Sequence, residues 1–181
     1  GAGNANTSGQ NVGFGYQASQ AATSGTHNTA LGYNTLATNV DGDRNTAVGH
    51  SALVDFEADT DGHGDNTALG FEAGKNISTG TQNTLIGSYA GMGDNSTPPT
   101  GDHNTLIGYY AGFDMEGSAN SNTAIGSACM ENLTTGDYNT AMGKSAGDTV
   151  TTGGHNVFIG YATDSEQSSA TSQVAIGYGA Q

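Results

Sequence analysis

The sequence predicts an all-β fold, a single-chain parallel β-solenoid (a β-roll or β-helix) of about ten coils of 17 residues each. Three observations predict it: a short phrase that returns along the whole chain, an invariant glycine inside that phrase, and period-two alternation just before the glycine. The phrase reads Asn-Thr-Ala-Leu-Gly-Tyr-x-Ala at its plainest and begins at Asn11, Asn28, Asn45, Asn66, Asn83, Asn104, Asn122, Asn139, Asn156 and Gln173. Its steps are 17, 17, 21, 17, 21, 18, 17, 17 and 17 residues. A period this short cannot hold a helix pair or a propeller blade, so each copy is one coil and the longer steps are loops bulging from it. Residues 11–181 then form one continuous solenoid, and 1–10 precede it as an N-terminal segment expected to act as a pairing arm.

Position 1 of the phrase is Asn in nine copies. An Asn on every rung can build an amide ladder, each side chain bonding its equivalent about 4.8 Å along the axis. It can equally cap its own turn. Positions 2 to 4 form a short strand. Position 2 is always Thr or Val, and position 4 is always apolar, from Phe14 and Leu31 through Ile159 and Ile176. Alternation puts both on one face, and their bulk assigns that face to the coil interior. Position 3 would then point outward. It reads Gly13, Ala30, Ala47, Ala68, Leu85, Leu106, Ala124, Ala141, Phe158 and Ala175, without one polar group. An apolar stripe along a solenoid is an association surface, so Ala30 through Ala175 are the expected self-association stripe.

Position 5 is Gly in all ten copies, which calls for a bend with positive φ or a close backbone approach. A second short strand is expected after it, with Ala at position 8 in seven copies and Thr35, Cys129 and Thr163 in the others. Such small residues suit a thin coil with a narrow core.

Composition excludes several classes. Thirty glycines and 34% hydrophobic residues would suggest disorder if the period were ignored; the repeat overrides that. The net charge is −14, with Arg44, Lys75 and Lys144 the only lysines and arginines. Phosphate backbones and anionic membrane surfaces need the opposite sign, so neither nucleic acid nor membrane is an expected partner. No signal peptide, transmembrane run or heptad stretch is legible, so the chain is expected to be a processed mature form or an excised segment. Cys129 stands in for the small position-8 residue and reads as a buried, inert thiol. Ser, His and Asp fall in variable loops with no nested triad geometry, so no enzyme activity is expected.

The loops hold the remaining candidates. Asp59-Thr60-Asp61-Gly62-His63-Gly64-Asp65 alternates carboxylates with glycine-permitted turns, a spacing that can wrap oxygens around Ca²⁺. Asp41 and Asp43, beside Asn39 on the preceding loop, could share that ion; no other cofactor is expected. His27, His103 and His155 each precede a ladder Asn but on distant rungs, and His50 and His63 occur singly, so they make no metal site by spacing. Asn6, Asn76, Asn95 and Asn132 head N-glycosylation sequons. Position 6 carries Tyr16, Tyr33, Phe71, Tyr109, Tyr161 and Tyr178, candidates for stacking on a glycan or for an outward ladder that stiffens the rod.

The last copy, Gln173-Val174-Ala175-Ile176-Gly177-Tyr178-Gly179-Ala180, resembles the head repeat of trimeric autotransporter adhesins, the YadA-like left-handed parallel β-roll. The Asn-Thr-Ala-Ile-Gly variants are similar to repeats of bacteriophage tail fibres. The likeness spans roughly residues 9 to 181. It implies left-handed coils of two short strands, trimerised about an axis lined by small residues, on a cell or virion surface and used for attachment to a receptor or glycan. The expectation is therefore a non-enzymatic extracellular fibre element that self-associates, as a homotrimer or as a filament of stacked rungs. An ice-binding role would require the strand Thr residues to be exposed.

Overall fold

The computed structural model describes residues 10–58, 60 and 63–181. Ten three-residue strands, β1 (Val12–Phe14), β2 (Thr29–Leu31), β3 (Thr46–Val48), β4 (Thr67–Leu69), β5 (Thr84–Ile86), β6 (Thr105–Ile107), β7 (Thr123–Ile125), β8 (Thr140–Met142), β9 (Val157–Ile159) and β10 (Val174–Ile176), form one sheet in sequential order. All pairings are parallel and in register from phrase to phrase: Thr29 lies beside Thr46, Ala30 beside Ala47 and Leu31 beside Val48. The protein is a parallel β-solenoid of about ten turns, an architecture suited to a fibre. The expected arm, 1–10, lies outside the described residues except for Gln10.

The strand faces are the reverse of the sequence expectation. Position 3 is the interior: Ala30, Ala47, Ala68, Leu85, Leu106, Ala124, Ala141, Phe158 and Ala175 are all buried. Positions 2 and 4 point outward, with Phe14 71%, Leu69 47% and Ile176 65% exposed. The physical reason is volume. Each coil encloses a strip so narrow that one inward side chain per strand fills it, together with Leu36, Leu53, Met130 or a glycine from the opposite wall. Two large inward residues per strand would not fit at interior packing density.

The expected second strand is also absent among the described residues. After the glycine the chain instead turns through left-handed backbone: the position-7 residues Gln17, Asn34, Ser51, Glu72, Tyr89 and Tyr110 all have φ of 54–61°. Hydrogen bonds still climb from rung to rung there, as from Asn34 N to Tyr16 O at 2.8 Å. At position 5 the requirement for glycine is direct. Gly87 sits at φ +134°, and a Cβ on it would overlap the carbonyl oxygen of Gly108 on the next rung.

The buried asparagines hold one edge of the sheet. Along the ladder each Oδ1 accepts the backbone N–H of the next Asn, as from Asn122 N to Asn104 Oδ1 at 2.9 Å and Asn139 N to Asn122 Oδ1 at 2.9 Å. Most Nδ2 groups meanwhile cross their own coil, as from Asn122 to Gly136 O at 2.8 Å and Asn139 to Gly153 O at 2.9 Å, while Asn45 Nδ2 donates to Asn28 Oδ1. The inter-rung ladder and the cap on the coil's own turn are thus one arrangement. Its polar groups are satisfied in a place where an unpaired one would cost about 1–3 kcal/mol.

Candidate functional site

The most extensive feature is the outer face of the ten-stranded sheet. Because position 3 turns inward, rows of position-2 and position-4 side chains stand side by side along the whole solenoid. Thr29, Thr46, Thr67, Thr84, Thr105, Thr123 and Thr140 form a hydroxyl row on β2 to β8, with valines at Val12, Val157 and Val174. Next to it runs Phe14, Leu31, Val48, Leu69, Ile86, Ile107, Ile125, Met142, Ile159 and Ile176. Neither row contains a charge. The residues expected to form the association stripe are thus core, and the residues expected to form the core are the exposed stripe. One signal could have disclosed this: in the coils of β2, β3, β5, β6 and β7, position 3 and position 9 differ in opposite senses in size, as two walls of one cavity do.

Beside that face runs an aromatic ladder at position 6. Tyr16 stacks on Tyr33 at 5.3 Å, Tyr33 on His50 at 4.9 Å and His50 on Phe71 at 5.1 Å, all with ring planes within 21°. His50 is a rung of this ladder, which its single occurrence in sequence concealed. Tyr161 and Tyr178 stack at the other end, and Lys144 lies 5.9 Å over the Tyr161 ring. Stacking turns ring faces toward one another, so along the ladder the edges are what remain for solvent.

The acidic loops are largely engaged in structure. Asp65 accepts from Arg44 Nε at 2.6 Å and from its Nη2 at 2.8 Å. Asp43 binds Thr26 N at 2.5 Å and its Oγ1 at 3.0 Å, and lies 3.5 Å from Arg44. Asp102 and Asp137 cap Thr81 and Asn120 in the same rung-to-rung way. Arg44 holds the Asp65 carboxyl below its ordinary value, first through the side-chain hydrogen bond. Asp41 lies against Glu57, whose carboxyl is raised first by burial and then by Asp41. Asp59 and Asp61 lie outside the described residues. Among the described residues no three His, Cys, Asp or Glu side chains are grouped to hold a metal ion.

Three of the four sequons fall on described residues. Asn76 is only 3% exposed, so its amide is closed to a glycosylating enzyme in the folded chain, whereas Asn95 and Asn132 are exposed. Asn6 lies outside the described residues. The Cys129 thiol is fully buried, and burial pushes it up to about 12, far from the thiolate a nucleophile needs. His27, His103 and His155 occupy a left-handed corner at φ 59–61°.

A second line of carboxylates follows the opposite side of the coil from rung to rung: Asp94, Asp114, Glu131, Asp148 and Asp164. Their mutual repulsion and burial hold Asp114 and Asp148 above the usual carboxylate range, burial being the larger cause in each. Beside this line a cleft of about 460 Å³ opens around Asn76 and Phe113. Comparison with protein-family models, curated proteins and solved structures finds no match to this chain.

Proposed function

We propose that this protein is a non-enzymatic extracellular structural and adhesive fibre element that associates with copies of itself through the outer face of its sheet. One observation carries the reading: an uncharged face of Thr and large apolar side chains runs uninterrupted over ten strands, with Val12, Phe14, Leu31, Leu69, Met142, Val174 and Ile176 each more than 44% exposed. Apolar patches of that extent on soluble proteins mark interaction surfaces. Covering the exposed half of each position-4 side chain is worth on the order of 1 kcal/mol, so roughly 10 kcal/mol along the rod. That is comparable with the roughly 4–15 kcal/mol lost in association, and the flatness of a ladder of three-residue strands favours close packing of two or three such faces.

Light scattering coupled to size-exclusion chromatography tests it. A discrete particle near three times the 18.1 kDa chain supports a closed trimer. An open-ended distribution supports a homopolymeric filament, and a stable monomer overturns the reading. Leu69→Lys with Ile107→Lys should leave the melting temperature within a few degrees, because both side chains face outward, and should shift the particle to monomer.

A second reading rests on the outward Thr row. Seven consecutive strands present Thr at the spacing of the sheet ladder, as a surface that orders water would. Thermal hysteresis in dilute solution would support it, and its absence removes it.

A further inference from the structure

We propose that the cleft beside Phe113 is a binding site for an organic cation, an alkylammonium or guanidinium group. Its walls bring together Asn76, Gly93, Asp94, Phe113, Asp114 and Glu116 in a space of about 460 Å³. Four features converge on that ligand class.

Asn76 is 3% exposed, its Nδ2 is spent on Gly93 O at 2.8 Å, and its Oδ1 has no hydrogen-bond partner among the described residues. A buried amide oxygen left unsatisfied is rare and asks for a donor. Three carboxylates line the same space: Asp94, kept ionised by the Ser96 hydroxyl and N–H, Asp114 and Glu116. Burial and the charge of Asp94 act against ionisation of Asp114, the condition that a bound cation relieves.

No lysine or arginine of the chain is left to neutralise them. Arg44 is held by Asp65, Lys75 pairs with Glu72 at 3.2 Å, and Lys144 lies over Tyr161. The fourth feature is the ring of Phe113, which stacks on Tyr110 at 4.4 Å within an aromatic cluster that includes Tyr89 and Tyr109. An aromatic ring next to carboxylates gives an organic cation a charge partner and an apolar wall together.

Size and spacing separate this ligand from a metal ion. The carboxylates line the cleft without converging, and no metal-holding group exists among the described residues. An ammonium on an alkyl stem, or a guanidinium with its spread donors, can bridge two of these carboxylates beside the Asn76 amide while its carbon atoms lie against Phe113. The cation can come as a free small amine or as the side chain of a lysine or arginine on a partner.

Calorimetry and amide-resolved NMR titration of the whole chain test the site, with a four-carbon diamine, Nα-acetyl-lysine amide and n-butanol as probes. Saturable binding of an amine with one-to-one stoichiometry, weakened by salt and centred on residues 76, 93 and 113–116, is the expected result. Tighter binding of the diamine identifies a small free amine, and tighter binding of the lysine amide a partner's side chain. Asp114→Asn and Glu116→Gln should each weaken binding roughly tenfold. Asp148→Asn, on the same acidic line but outside the cleft, should leave it unchanged. Equal binding of n-butanol, equal loss in Asp148→Asn, or displacement of the amine by stoichiometric calcium would overturn the assignment. Melting curves of each variant confirm that the fold is intact.

Discussion

Two stretches of the solenoid fill the same narrow interior in opposite ways. In the coils of β2 and β3 the strand contributes Ala30 and Ala47, and the facing wall supplies Leu36 and Leu53, all four fully buried. In the coils of β5 and β6 the strand contributes Leu85 and Leu106, and the facing wall is Gly91 and Gly112. A Cβ on Gly91 would lie 2.8 Å from Leu85 Cδ2 and 2.9 Å from Leu106 Cδ1, so the leucines already occupy the space. The sum of the two walls is conserved while its division is exchanged. The two stretches share one backbone conformation at that wall but not its strain. The facing-wall position is left-handed in both stretches, at φ 47° for Leu36 and 50° for Leu53 against 56° for Gly91 and 59° for Gly112. Leucine there is strained by about 1–2 kcal/mol and glycine is not. The β2–β3 coils accept that strain in exchange for the apolar volume that their alanines do not provide.

The largest expected effect breaks this complementarity. Gly91→Leu should destabilise the chain by about 3 kcal/mol or more, since both the left-handed backbone and the two leucines oppose it. Leu106→Ala should cost about 2–5 kcal/mol by leaving a cavity. The triple variant Leu85→Ala, Gly91→Leu, Leu106→Ala should lose at least about 1 kcal/mol less than the sum of its parts, because it rebuilds the β2–β3 arrangement. Denaturant melts of the variants measure this directly, and strict additivity would show that the walls do not trade volume.

That exchange is written in the sequence, but not in the strands alone. The start of each strand, the glycine bend and the buried Asn row were legible because each repeats at the same offset in a strict period. The inward side is hidden because size at position 4, from Phe14 to Ile176, mimics the mark of burial. In a coil this thin burial is decided by whether the two walls add up. Ala30 with Leu36, Ala47 with Leu53 and Ala124 with Met130, against Leu85 with Gly91 and Leu106 with Gly112, carried that information. Two coils blur it. Ala68 and Gly74 are both small, and so are Ala141 and Gly147; there the space is taken by the neighbours' Leu53 and Leu85, and by Met130 and Phe158. The cleft at Asn76 had no signal of its own, since its walls come from successive coils and meet only when the rungs stack.

A feature shared by both stretches sharpens the comparison by contrast. The Asn ladder runs through them alike, with Asn45 N bonded to Asn28 Oδ1 at 2.8 Å and Asn104 N to Asn83 Oδ1 at 2.9 Å. Asn28→Ala and Asn83→Ala should therefore cost the same, about 2–3 kcal/mol, whichever wall carries the leucine. Each strands the next rung's N–H and one further group: Asn28→Ala strands Asn45 Nδ2, while Gly42 O keeps Asn39 Nδ2, and Asn83→Ala strands the carbonyl of Gly101. Gln173, whose backbone N–H donates to Asn156 Oδ1 and whose Nε2 donates to the nearby Thr171 O, should tolerate Ala within about 0.5 kcal/mol. Unequal costs at Asn28 and Asn83 would mean that the ladder and the core fill are coupled.

Acid provides the smallest effect and separates the stretches by sign. Around β3 the Arg44 guanidinium lowers Asp65, so the native state favours the carboxylate, and the stability it contributes disappears as pH falls below the usual carboxylate range toward the depressed native value. In the β6–β9 coils Asp114 and Asp148 are raised by burial and by neighbouring carboxylates, so the native state binds protons more readily than the unfolded chain. Their contribution rises as pH drops from neutral through their raised native values and levels off at the unfolded value. Mild acidification should therefore raise the protection factors of amide hydrogens in the β6–β9 rungs before it lowers those around Arg44 and Asp65. Asp148→Asn should remove part of the first response by giving, already at neutral pH, a modest gain of under about 1 kcal/mol. Uniform loss of protection on acidification from neutral pH, in every rung, would show that the acidic line is too well solvated for its like charges to oppose folding.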